Sequence, residues 1–250
     1  MTLTQATQFQ IDNYGPWTVT PEPRREMDLQ TLQSRLYADV AQFVGGRDGY
    51  AFYARGDNVV AVTNGIDRAA HRTLQESIAN RYPVTVSVGV GVAEQPADAL
   101  AAASERIQAA GSAQSPDRTE VLDGEFHTEP GPDDVQVAHF DVDDATEKYT
   151  DRISEFDTFV EVETGYASLM RHLRTEHGAL AFFVGGDNVI AACPDLSADD
   201  YRAAVDTVGE EAGVELKVGV GTGRTAHDAG MDAKHALEDC RHDGTTVEIV

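Results

Sequence analysis

Four aspartates stand out by where they fall. Asp12 closes the alternating segment Thr7-Gln8-Phe9-Gln10-Ile11, and Asp57 sits in Gly56-Asp57-Asn58, a turn sequence between two apolar runs. Asp141 and Asp187 take the same places later in the chain, with Asp143 and Asp144 beside the first of them. Converging carboxylates repel one another unless a proton or cation lies between them. Oxygen donors without Cys or clustered His suit Mg²⁺ or Mn²⁺, and Mg²⁺ is commonly shared between a few carboxylates and substrate phosphates. A single Asp-Asn turn is ordinary turn chemistry. Two positions recurring together in both parts of the chain point instead to metal at one or both pairs.

Something must bring these residues together, and the chain's internal repeat supplies it. Gly56-Asp57-Asn58-Val59-Val60-Ala61 returns as Gly186-Asp187-Asn188-Val189-Ile190-Ala191, and Val86-Ser87-Val88-Gly89-Val90-Gly91 as Leu216-Lys217-Val218-Gly219-Val220-Gly221, both at an offset of 130 residues. Two related domains in tandem account for this. Residues 1–111 and 135–250 form the copies, and 112–134, rich in Pro, Gly, Asp and Glu, reads as the linker.

In the first copy a strand over 7–11 precedes a helix near 24–44, whose Leu29, Leu32, Leu36, Val40 and Phe43 keep helical spacing. Strands 50–53 and 59–63 bracket the Gly-Asp-Asn turn, and helix 67–80, strand 84–92 and helix 96–110 follow. The second copy repeats the order and adds a short last strand over 246–250. The pattern βαββαβ is ferredoxin-like and α+β. With a right-handed crossover, strands one and two run parallel and strand three inserts antiparallel between them. The end of strand one then meets the hairpin tip, so Asp12 and Asp57 share one end of the sheet although 45 positions separate them.

Composition bounds the function classes. The chain has 250 residues, 41% of them hydrophobic, with 43 acidic against 19 basic residues and a formal net charge of −24. No apolar run approaches the roughly 20 residues that span a bilayer, and no signal peptide is visible, so a cytoplasmic protein is expected. A nucleic-acid or anionic-membrane surface needs a basic patch, and none is visible. Excess acid with only three lysines suits a protein working in concentrated salt. Two distant cysteines, Cys193 and Cys240, provide neither a disulfide scaffold nor a zinc site. Gly219-Val220-Gly221-Thr222-Gly223 fails the spacing of a dinucleotide fingerprint, and with its twin at Gly89-Val90-Gly91 it argues for close strand–helix packing.

The βαββαβ order, the Gly-Gly-Asp-Asn hairpin and the Val-Gly-Val-Gly strand before an alanine-rich helix resemble the nucleotidyl-cyclase palm domain. A diguanylate cyclase would carry Glu-Phe where Asn188-Val189 follows Gly-Gly-Asp. A narrower resemblance covers nearly the whole chain. Gln10-Ile11-Asp12-Asn13-Tyr14-Gly15-Pro16-Trp17, Pro23-Arg24-Arg25-Glu26, Leu32-Gln33-Ser34-Arg35-Leu36-Tyr37-Ala38-Asp39 and Thr63-Asn64-Gly65-Ile66-Asp67 are similar to the archaeal GTP cyclohydrolase III family. That resemblance implies tandem palm domains, a homo-oligomer, and a Mg²⁺-dependent enzyme with a monovalent cation as candidate activator. It implies GTP as substrate, opening of the imidazole ring with C8 kept as a formyl group, and release of two phosphates. A palm-class nucleotidyl cyclase or transferase, or a non-catalytic GTP sensor, is the alternative.

Roles follow from the same resemblance. Asp12 and Asp57, with the backbone carbonyl of Asn13, would hold metal against the triphosphate, and Asp141 and Asp187 would form either a second metal site or a degenerate partner. Asn13, Tyr14 and Gly15 would form the turn leaving the strand, with amides open to phosphate. Arg24 and Arg25 would reach phosphate or only solvate a helix start. Asn58 or Asn64 would read the guanine edge or only shape a turn. Trp17 would stack on a base or anchor its loop. The histidines, His71 and His172 among them, are read as structural, and no general base is named.

Overall fold

The computed structural model describes residues 2–115, 117, 118 and 120–250. It divides into two compact units, one built from Leu3–Glu94 and Asp98–Pro130, the other mainly from Gly131–Val250. The first contains β1 (Thr4–Ile11), α1 (Tyr14–Val19), α2 (Glu26–Gly45), β2 (Tyr50–Arg55), β3 (Asn58–Val62), α3 (Arg68–Arg81), β4 (Val86–Ala93), α4 (Pro96–Ala109) and β5 (Leu122–Gly124). Its sheet order is β2-β3-β1-β4-β5. β3 is antiparallel to both β1 and β2, so those two run parallel, and β4 is antiparallel to β1. The second unit repeats this with β6 (Val135–Val142), α5 (Glu155–His177), β7 (Leu180–Gly185), β8 (Asn188–Cys193), α6 (Ala198–Ala212), β9 (Leu216–Gly223), α7 (Ala226–Asp243) and β10 (Val247–Ile249), in the order β10-β9-β6-β8-β7. Each unit is a ferredoxin-like βαββαβ layer with one extra edge strand, and the fold is α+β.

Period-two burial explains the layers. In β1, Phe9 and Ile11 point into a core with Leu32, Leu36, Val40 and Val44 of α2 and Leu74 and Ile78 of α3. The opposite face takes α4, and there glycine is required. A side chain at Gly89 would strike the carbonyl of Ala103, and one at Gly91 that of Ala99. Gly219 and Gly221 stand in the same relation to Ala233 and Ala229 of α7. Close packing is therefore the use of both Gly-Val-Gly runs, as their duplication suggested. On the core side of the second unit, Leu169 and Leu173 of α5 and Tyr201, Ala204 and Val208 of α6 cover Phe140, Val218 and Val220.

Four features differ from the sequence reading. Asn13 adopts a left-handed conformation (φ 55°) and opens the short helix α1, where a turn was expected. The segment expected to be a linker contributes β5, which pairs with β4 from Val88↔Leu122 to Val90↔Gly124. A single π-helical turn, Thr146–Thr150, precedes α5. In β1, five residues were assigned where eight form the strand, because Thr4 and Gln5 are buried polar residues that break the apolar alternation.

Candidate functional site

Strand pairing delivers Asp12. Gln10 pairs with Asn58 on one side and Ser87 on the other. Ile11 N donates to Asp57 O at 2.9 Å, and Asp12 N donates to Thr85 O at 3.0 Å. Ile11 is thus tied to the hairpin tip on one side, and Asp12, the next residue, is held by the start of the β4 segment on the other. The left-handed turn at Asn13, whose N donates to Ala113 O at 2.8 Å, then diverts the chain into α1.

The Asp12 side chain is 1% exposed and is saturated by donors. Ser87 Oγ donates to Oδ1 at 2.6 Å and Thr85 Oγ1 to Oδ2 at 2.9 Å. The guanidinium of Arg118 lies 3.5 Å away through Nε. Burying a carboxylate is strongly unfavourable unless such partners surround it. Asp12, Asn13, Trp17, Tyr82, Thr85 and Arg118 line a cavity of about 230 Å³. That is below the usual range of roughly 300–1,000 Å³ for a ligand pocket, too small to enclose a whole nucleotide. The side-chain Oδ1 of Asn13 is buried without a hydrogen-bond partner. Its backbone carbonyl, the atom expected to meet a metal, accepts from Trp17 N at 3.0 Å as α1 begins.

Asp57 is half-buried at the tip, held by its neighbour. Asn58 Nδ2 donates to Asp57 Oδ1 at 2.8 Å, while Asn58 Oδ1 accepts from Gln8 at 2.7 Å and Gln10 at 3.4 Å. The Asn58 amide is therefore buried between Asp57 and the two glutamines, which turns it to orienting Asp57 rather than to reading a guanine edge. Asn188 repeats the arrangement, donating to Asp187 Oδ1 at 2.9 Å and contacting His139 Nε2 at 2.8 Å. α2 reaches the same tip through Gln33, which donates to the Tyr14 hydroxyl at 2.6 Å and accepts from that of Tyr53 at 3.1 Å. Burial raises the Tyr14 pKa, opposed by the Gln33 bond and reinforced by Glu26 and Asp57. Gly56 has positive φ and a Cβ there would meet Gln33, so the tip requires glycine.

Other expectations are corrected. Asn64 lies beyond the opposite end of β3; its Oδ1 accepts from Gln5 N at 2.9 Å and its Nδ2 donates to Leu3 O at 2.7 Å. It is a buried backbone clamp, remote from the Asp12 end of the strand. Arg25 is 83% exposed and its fork grips Asp28 at 2.8 and 2.9 Å, which stabilises the first turn of α2 instead of reaching inward. Arg24 donates to Trp17 O and stacks on the Trp17 ring at 4.2 Å, with Tyr14 on the same indole at 6.1 Å between centroids. Trp17 anchors its loop in this arrangement. Gly15 faces the Gln114 carboxamide, which occupies the space a side chain would need.

The largest correction concerns the second copy. Asp141 pairs with Asn188 and Lys217, which are the counterparts of Asn58 and Ser87, so Asp141 corresponds to Gln10. Asp143 corresponds to Asp12: its N donates to Glu215 O at 2.8 Å just as Asp12 N donates to Thr85 O, and Asp144 has the φ of 53° that matches Asn13. The central strand sits one residue out of step with the offset of the quoted motifs, which conceals the equivalence until strands are paired. Asp141 is ion-paired to Arg241 at 2.8 Å. Burial and then Asp141 raise the pKa of Asp187. Burial opposes the charge on Asp143, but Lys217 at 2.6 Å and Lys148 at 3.5 Å outweigh it and its pKa falls. The cavity beside Asp143, about 630 Å³, is larger but lined by Asp143, Asp206, Glu210 and Glu215 against Lys217. Lys148 also pairs with Asp143 and Glu215, but four carboxylates against two ammonium groups still disfavour a triphosphate, so size does not make this the better site.

Among the described residues no group of three or more His, Cys, Asp or Glu side chains is arranged to hold a metal. The first unit offers oxygen donors only: Asp12, Asp57 and the unpartnered Oδ1 of Asn13. Such an incomplete set fits Mg²⁺, which keeps water and takes substrate phosphates as ligands, better than a cation needing a full protein cage.

A family model described as GTP cyclohydrolase III matches residues 4–250. The chain belongs to the GTP cyclohydrolase III family. The GTP cyclohydrolase III of Halorubrum lacusprofundi is 63% identical over 249 residues, spanning 100% of this chain and 97% of the relative. That of Methanococcus vannielii is 45% identical over 249 residues, 99% and 92% of the two chains. Among solved structures, the GGDEF domain of DgcB from Caulobacter crescentus in complex with c-di-GMP covers 46% of this chain and 77% of its own at 13% identity and TM-score 0.40. No helix of this GTP cyclohydrolase III family member is long and apolar enough to cross a membrane among the described residues.

Sequence reasoning missed Thr85, Ser87 and Arg118. A signal was present for the first two: hydroxyls alternate with valines in Val84-Thr85-Val86-Ser87-Val88, on the face away from the core. Arg118 carried none, because only the folded path of its segment brings it to Asp12. Asn58→Ala, which frees the Asp57 side chain, should lower turnover by roughly 10–100-fold if Asp57 serves as a metal ligand. Asn188→Ala should leave turnover near normal. Steady-state rates of both variants, with circular dichroism to confirm folding, check this; equal losses would count against the first unit as the working half.

Proposed function

We propose that this chain is a Mg²⁺-dependent GTP cyclohydrolase acting in the cytoplasm. It would open the imidazole ring of GTP to a formylamino-pyrimidine ribosyl 5′-monophosphate with release of two phosphates. The observation that carries the reading is the meeting of Asp12 and Asp57 at one end of the first sheet, in a chain of this family. Asp12 and Asp57 would hold the ion, with Asn13 Oδ1 as a further oxygen donor. Bound there, Mg²⁺ supplies charge neutralisation for the triphosphate and polarises its phosphoryl oxygens.

The chain's own groups do the positioning. Ser87 and Thr85 fix the Asp12 carboxylate, Asn58 fixes Asp57, and Trp17 and Tyr82 wall the cavity beneath α1. Ring opening breaks the C8–N9 bond with one water: the water oxygen becomes the formyl oxygen on C8, which stays on N7, and the two hydrogens go to N9 and N7. Two further waters release the two phosphates. His71 is not the base for this step. Burial lowers its pKa, and its ring nitrogens contact Thr7 and the Asp67 carbonyl.

Incubation with GTP and Mg²⁺ should bleach the purine absorbance while two equivalents of inorganic phosphate appear. Intact purine with pyrophosphate release would instead identify a nucleotidyl cyclase or transferase, and recovery of unchanged GTP a sensor. A homo-oligomer belongs to the same reading. Phe156, Phe159 and Val160 expose apolar surface on α5 in its support, and sedimentation of the purified chain as a monomer would remove it.

A further inference from the structure

Arg118 is a charge at the site that the proposed chemistry does not use. Its side chain is 2% exposed. Nη1 donates to Gly111 O at 2.6 Å and Nη2 to Ile107 O at 3.4 Å, carbonyls at and just beyond the C-terminal end of α4, where the helix dipole favours a cation. The guanidinium is therefore anchored at two corners. The third corner, Nε, lies 3.5 Å from Asp12 Oδ1 and makes no hydrogen bond among the described residues. It lines the same cavity as Asp12 and the unpartnered Oδ1 of Asn13.

The second unit independently places a cation at the same corner. Asp143, the counterpart of Asp12, receives Lys217 Nζ at 2.6 Å and Lys148 Nζ at 3.5 Å. Lys217 stands where Ser87 stands in the first unit, and Lys148 comes from the π-helical turn. Different elements thus deliver positive charge to one structural position. In the second unit the contact is close and double; in the first it is a single loose contact with an unused donor.

We propose that Arg118 is a positioning residue for Asp12: a resident counter-ion that holds the buried carboxylate in the metal-free protein and yields its Nε contact when a divalent ion arrives. The part concerning the ion rests on the Mg²⁺-dependent function proposed above; the pairing of the two side chains does not. A fixed guanidinium beside the carboxylate repels an incoming dication, so the ion should bind weakly until triphosphate oxygens join the site. At Asp143, two lysines already supply that charge, so the divalent ion is confined to the first unit.

A double-mutant cycle with Arg118→Met and Asp12→Asn tests the pairing in metal-free buffer. Each single change should lower the thermal midpoint, and the double variant should recover most of the loss. Mn²⁺ titration followed by electron paramagnetic resonance, without nucleotide, tests the exchange. Arg118→Met should bind Mn²⁺ at least about tenfold more tightly than the wild type, because the repelling charge is gone. Arg118→Lys should resemble the wild type, and Asp143→Asn should not change the number of ions bound. Additive losses in the cycle, or unchanged or weaker Mn²⁺ binding by Arg118→Met, would overturn the proposal. If Arg118→Met does not fold, folding of the double variant supports the pairing and failure of both overturns it. Wild-type turnover of GTP measured alongside separates the two ideas: side-chain coupling without ring opening rejects the proposed function and leaves the pairing.

Discussion

Asp12→Ala should destabilise the protein as well as silence it. The carboxylate is the acceptor for Ser87 and Thr85 and the counter-charge of a guanidinium that is itself almost wholly buried. Removing one member of a buried pair strands the other, which costs about 3–5 kcal/mol. The two hydroxyls lose their acceptor in the same step. Urea unfolding of the metal-free protein, followed by circular dichroism, should show a clearly lower midpoint than the wild type. A midpoint at the wild-type position would mean that Asp12 is not the electrostatic centre of this corner. The residue proposed to hold the ion is thus also placed as a structural centre of this corner.

Asp57→Asn should give the opposite balance. Asp57 sits half-buried on the hairpin tip, and its side chain accepts a hydrogen bond from Asn58, which a carboxamide oxygen can accept as well. Stability should change by no more than about 0.5 kcal/mol, as for most surface substitutions. Turnover should fall by roughly 10²–10³-fold, the range seen when one electrostatic group is removed from a reacting centre. Steady-state rates on GTP with an unfolding curve for the same sample measure both quantities. Asp187→Asn serves as control and should keep near-normal activity, since Asp143 and Asp141 of the second unit are already taken by Lys217, Lys148 and Arg241. Loss of activity in the control alone would move the working site to the second unit.

Much of the architecture could be read from residue order because it depends on local periodicity. Alternating β1 residues, the Gly-Asp-Asn turn and the helical spacing in α2 each follow from nearest-neighbour geometry. The handedness of crossovers then restricts the sheet to one arrangement, in which Asp12 and Asp57 share an end. The paired Gly-Val-Gly runs were also legible, since close helix–strand approach tolerates no Cβ at those positions.

Side-chain pairing was far less visible. Asn64 and Asn58 have the same chemistry and both follow an apolar run or a turn, yet they lie at opposite ends of β3. Arg25 and Arg118 are both arginines near a helix end, but one grips Asp28 in solvent and the other is buried against Asp12. The equivalence of Asp143 with Asp12 depends on a one-residue step that only hydrogen-bonded register exposes.

The chain's order of residues alone determined that it contains two βαββαβ repeats and that Asp12 and Asp57 lie at one end of the first sheet, because periodicity and crossover handedness are properties of short segments and their connections. Which partners surround those acids was decided by tertiary structure. The reason is that Arg118 reaches Asp12 across 106 positions of sequence, by a path that no local propensity encodes.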